Sequence, residues 1–228
     1  MGYFYEKYIP YIFDNDGCRG TDQFFDDMYY YPRTKYEKEL YTKPALVLEV
    51  LHPALTNFKV LLSNYTVYQL SNALEYIFNP SLGTYGIVFQ DESLDKGKRV
   101  ETLQALSDFI LYIYEDTAEP VLGHLSEVPK NKKNNHLNGT CYMFWDTACI
   151  PYEGAKDITE ACLAVMGKCA RSKNLAVVEG ALHGLGHAWP SYEYPIIQKY
   201  IDLANIGHGP KSSALRAYAQ NARIGYVL

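Results

Sequence analysis

Apolar positions in this chain recur at spacings of three and four, and residues 174–189, NLAVVEGALHGLGHAW, carry the pattern most completely. Read as a helix, the stretch aligns Leu175, Val178, Leu182, Leu185 and Trp189 in one stripe. One flank holds the small residues Val177, Ala181, Gly184 and Ala188, and the other holds Ala176, Gly180, His183 and His187. Glu179 is the only formal charge. A helix apolar or small nearly all round packs on several sides. This segment is therefore expected at the centre of a helical assembly, ending at Pro190.

The same period predicts helices elsewhere. Residues 21–31 have a capping Thr21, with Phe24, Met28 and Tyr31 on one face, and stop at Pro32. Pro44 opens ALVLEVL and Pro53 opens ALTNFKVLL, which predicts two short helices joined at His52–Pro53. Thr66 and Gln69 form a capping box before the stripe Val67, Leu70, Leu74 and Ile77. GIVF reads as a short extended piece, and residues 100–116 as a long helix with Leu103, Leu106, Ile110 and Ile113 inward.

Residues 126–140, SEVPKNKKNNHLNGT, are polar and aperiodic, which predicts an exposed loop joining an N-terminal half, 1–125, to a C-terminal half, 141–228. CYMFWDTACIP then fits strand or helix. Asp157 is expected to cap a helix with Ile158, Cys162, Val165 and Cys169 inward, paired antiparallel with the central helix across a tight turn. Ile197, Tyr200, Ile201 and Ala204 mark another helix. Ser212 or Ser213 caps the last, lined by Leu215, Tyr218, Ala219 and Ala222. The sum is a single all-α domain of about eight helices, an α-solenoid array of antiparallel helix pairs.

Composition narrows the function classes. With 228 residues, 48% apolar and 21% charged, the chain is globular and long enough to bury its own core. No apolar run reaches the length of a membrane span. MGYFYEKYIP has no basic region followed by an apolar one, so a cytoplasmic location is expected. A net charge of −5 argues against nucleic acid and favours a basic partner. Five cysteines without a C-x-x-C pair read as free thiols. Tyrosine is abundant, at 22 residues; its rings suit interfaces as well as helix–helix gaps.

ALHGLGHAW, followed by IIQKYI and LRAYAQNARIGYVL, resembles HEAT-like helical repeat proteins over residues 157–228. The Leu-His-Gly-Leu-Gly-His segment is more closely similar to a poorly characterised group of bacterial proteins, some regarded as immunity partners of secreted toxins. The resemblance implies a helical-repeat fold and a non-enzymatic role in which the protein binds and neutralises a toxin.

Candidate chemistry is sparse. His183 and His187, spaced i, i+4, offer two imidazoles to a metal from one helical face. The metalloprotease pattern needs Glu after the first His, where this chain has Gly184. No third ligand stands nearby in sequence, although Cys162 or Cys169 would supply one if the preceding helix brought it across. The competing reading has both histidines filling a tight helix crossing and bonding to neighbouring carbonyls. Gly180, Gly184 and Gly186 follow no strand and match no phosphate loop, so close approach of a neighbouring backbone is the plainer reading.

Two readings of function follow. The first is a cytosolic immunity protein with no catalytic residues and no cofactor. It captures a basic toxin domain on an acidic, Tyr-rich surface that includes Asp26, Asp27, Tyr29, Tyr30 and Tyr31. The alternative is a metal-dependent hydrolase using His183 and His187.

Overall fold

The computed structural model describes residues 4–14, 34–80, 82–83, 85–125, 130, 132–148, 150, 155–188, 195, 198–202 and 213–227. These residues are all-helical, with no strand among them. The helices are α1 (Ile9–Phe13), α2 (Lys35–Thr42), α3 (Pro44–Thr56), α4 (Phe58–Leu61), α5 (Val67–Phe78), α6 (Lys96–Tyr114), α7 (Lys132–Thr147), α8 (Lys156–Cys169), α9 (Leu175–Ala188) and α10 (Ser213–Ala222). Phe4–Lys7 and Tyr85–Phe89 form 3-10 turns. No helix among the described residues is long and apolar enough to cross a membrane.

Helices pack in two rows. In one row α6 lies between α3 and α8; in the other α7 lies between α5 and α9. The rows touch where α5 meets α6 and α8 meets α9. The most extensive contact is α7 on α9, and α9 also carries α10. The expected central helix therefore packs on three neighbours, and residues 176–186 are buried without a break. Its start is pinned by Asn174. The Asn174 Oδ1 accepts from the Ala176 N–H at 2.9 Å, while Nδ2 donates to the Tyr114, Glu115 and Ala118 carbonyls at 3.3, 3.0 and 2.9 Å. One amide thus caps α9 and ties it to the carbonyls at and just beyond the end of α6.

Several local expectations hold. Thr66 and Gln69 make the capping box of α5, whose Leu70, Leu74 and Ile77 are buried. Leu103, Leu106, Ile110 and Ile113 face the core from α6, as do Ile158, Cys162, Val165 and Cys169 from α8. Leu215, Tyr218, Ala219 and Ala222 are the buried face of α10. Tyr8, Tyr85, Tyr114, Tyr142 and Tyr218 are buried, so a good share of the tyrosines fill helix–helix gaps.

Others are corrected. The loop expected over 126–140 is helical from Lys132, and α7 runs through CYMFWDT without interruption. Its polar residues misled because one of them is satisfied inside the fold. The buried Asn138 accepts the Glu119 N–H at 3.0 Å and donates to the Glu119 carbonyl at 2.9 Å, beside buried Leu137 and Thr140. The break expected at His52–Pro53 is absent, and α3 continues through the proline. A proline inside a helix costs about 3 kcal/mol. Buried Leu51, Ala54 and Leu55 carry the apolar stripe across it and offset that cost. GIVF forms a 3-10 turn rather than an extended piece. Asp157 sits in the first turn of α8 rather than capping it, 3.5 Å from the Lys96 ammonium.

Candidate metal centre

The site is built where α9 crosses α7. Glycine permits the approach: a Cβ at Gly180 would lie 2.5 Å from the Cys141 carbonyl oxygen, and one at Gly184 would lie 2.6 Å from Cγ of Trp145. At Gly180 the neighbour is backbone, as expected; at Gly184 it is the indole. With the two helices this close, Asp146, next to Trp145 on α7, reaches the histidines of α9.

Gly180→Ala separates two opposed effects. Alanine favours a helix by about 1 kcal/mol over glycine. A new methyl against a backbone oxygen forces α7 and α9 apart, at a cost that typically reaches about 1–3 kcal/mol net. Urea unfolding is expected to show destabilisation; a gain in stability would mean that the helices are not in contact at this point.

His183 and His187 present Nε2 atoms to each other at 3.1 Å, and His187 Nε2 lies 3.4 Å from Asp146 Oδ1. The three donor atoms all lie within 4.8 Å of one another. An ion about 2.1 Å from each ligand makes neighbouring edges of roughly 3.0–3.4 Å, from octahedral to tetrahedral geometry. Both histidine edges match that range. This is the only group of at least three His, Cys, Asp or Glu side chains able to hold an ion among the described residues.

The site is asymmetric in burial. His183 is 2% exposed, while the side chains of His187 and Asp146 keep 34% and 40% exposure. The inner side is lined by aromatic groups. His183 Nδ1 lies 2.8 Å from Tyr218 Oη, which lies 3.0 Å from Tyr142 Oη. The Tyr142 ring sits 4.2 Å from that of His183 and stacks on His124 at 3.6 Å. Buried Glu179 accepts the backbone N–H of His124 through Oε1 at 3.2 Å.

Burial pulls the His183 pKa down to about 4, aided by neighbouring His187 and His124 and opposed by the Asp146 carboxylate. Burial also lowers that of His124 and raises those of the Tyr142 and Tyr218 hydroxyls. At neutral pH His183 is therefore an uncharged imidazole, the form that ligates a metal.

The two histidines recognised in the sequence come together, and the third donor is Asp146 rather than Cys162 or Cys169. Those thiols are buried, with pKa values pushed up to about 12, and so are not thiolates. His183 bonds to a tyrosine hydroxyl, not to a backbone carbonyl. Asp26, Asp27, Tyr29, Tyr30 and Tyr31 lie outside the described residues. The sequence singles out neither Asp146 nor Tyr142, and it marks Tyr218 only as a residue of the inward face of its helix. Treating CYMFWDT as helix would have exposed part of the signal, because Tyr142 and Asp146 are then i, i+4 on one face. No protein-family model, curated protein or solved structure matches this chain.

Proposed function

We propose that this protein binds a zinc-class divalent ion through His183, His187 and Asp146 and acts as a metal-dependent hydrolase. The observation that carries the reading is the convergence of two imidazole nitrogens and a carboxylate oxygen from two helices, with edges of 3.1 and 3.4 Å. Three protein ligands of this kind typify catalytic rather than structural zinc sites. The ion would supply Lewis acidity toward water and toward a substrate carbonyl or phosphoryl oxygen. The part-exposed His187 and Asp146 place that chemistry on the solvent side, while buried His183 anchors it. We also read the stacking of α6 on α8 and of α7 on α9 as a HEAT-like array, with the site at the close crossing of α7 and α9.

Elemental analysis after zinc loading and dialysis tests the binding. About one equivalent per chain is expected, lost in His183→Ala and in Asp146→Ala while circular dichroism stays helical. Zinc content unchanged by either substitution would overturn the reading. Hydrolysis of chromogenic carboxylic and phosphoric esters by the zinc-loaded protein, abolished by chelator and by Asp146→Ala, tests the activity.

A further inference from the structure

We propose that the Tyr218 hydroxyl is the positioning group that holds His183 in its metal-ligating tautomer, so that docking of the C-terminal helix sets metal affinity. The inference rests on the metal reading above and deepens it.

A histidine ligates a metal through an unprotonated ring nitrogen, and its other nitrogen carries the proton. What that proton is bonded to decides the tautomer and the aim of the ring. In His183 the nitrogen facing the other donors is Nε2, 3.1 Å from His187 Nε2. The opposite nitrogen, Nδ1, lies 2.8 Å from Tyr218 Oη. With the ring 2% exposed, protein groups rather than bulk solvent choose between the tautomers. A phenol oxygen accepts well, so Nδ1–H donating to Tyr218 Oη leaves Nε2 free to ligate.

Tyr218 is held in turn. Its hydroxyl lies 3.0 Å from that of Tyr142, which gives the Tyr218 proton an acceptor and sets a direction along the chain from His183 through Tyr218 to Tyr142. The Tyr142 ring is stacked on His124 and packs against His183, so the same residue also limits the tilt of the imidazole. Tyr218 belongs to α10 and is 35 positions from His183 in sequence. The buried face Leu215, Tyr218, Ala219 and Ala222 docks that helix on α9, and Tyr218 carries its polar contact to the imidazole.

The experiment is cobalt(II) titration of the full chain, followed by its visible absorption, together with long-range 1H–15N spectra that report which ring nitrogen of His183 is protonated. Tyr114→Phe is the control: it removes a fully buried tyrosine hydroxyl on α6 bonded to Ser71 Oγ of α5 at 2.9 Å, on helices that carry none of the three donors. Tyr218→Phe is expected to weaken cobalt binding about tenfold to a hundredfold and to lose the Nδ1–H signature, while Tyr114→Phe binds like the wild type. If Tyr218→Phe binds within twofold of wild type and keeps the Nδ1–H form, the inference is overturned while the metal reading stands. If the wild type takes up no cobalt, both fall. Should Tyr218→Phe not fold, Tyr142→Phe is read the same way, with severalfold weakening supporting the inference and unchanged affinity overturning it.

Discussion

Leu182→Ala is expected to lower the free energy of unfolding by about 4 kcal/mol, within the range of about 2–5 for buried Leu→Ala changes. Leu182 is 0% exposed and sits in the middle of α9, which packs on α7, α8 and α10. A site held on three sides cannot collapse around the missing methyls, so the cavity persists and the cost approaches the upper end of the range. Half-buried Leu175, in the first turn of the same helix, is the comparison. Its replacement by alanine removes less buried surface and should cost about 1 kcal/mol. Urea unfolding of both variants gives the answer. A Leu182→Ala loss below that of Leu175→Ala would mean that α9 is not the centre of the core.

The metal-free protein, kept so by chelator, should lose stability on the order of 3 kcal/mol between pH 6.5 and 4 through His183 alone. Burial holds the folded-state pKa at about 4, below the ordinary 6.5. Between those values the unfolded chain binds a proton that the folded chain does not, so acid favours unfolding. The contribution is complete above about 6.5, falls as pH drops, and stops falling below about 4. Imidazoles of His187 and His124 on one side, and the Asp146 carboxylate on the other, are the charged or titratable groups that most affect this ring. Melting temperature followed across that interval should fall more steeply for the wild type than for His183→Gln, which cannot protonate there. Equal slopes would show that His183 titrates normally.

Much of the architecture is legible in the sequence because the signals are local. α5 announces itself through Thr66, Gln69 and a stripe at three-four spacing, and each of those features lies within four residues of the next. α9 reads as buried because hardly a polar residue interrupts it. The failures are also physical. α7 looks like loop because a polar residue in its first half, Asn138, is paired inside the protein with Glu119, a partner 19 positions away that no local window contains. α3 looks broken because a proline has a known local cost, while the burial that outweighs it comes from other helices.

By itself, then, the sequence determined the all-helical class, the identity of the central helix and the pairing of His183 with His187 on one face. Each depends on a period of 3.6 residues and nothing further away. Tertiary structure alone decided the rest of the site. Asp146 becomes a third donor because Gly180 and Gly184 let α7 lie against α9, and Tyr218 meets His183 because α10 folds back onto the same helix. Which faces of distant helices meet is set by the summed packing of the whole core, so a candidate site that draws Asp146 from α7, two histidines from α9 and a neighbouring tyrosine from α10 comes together only once that packing is complete.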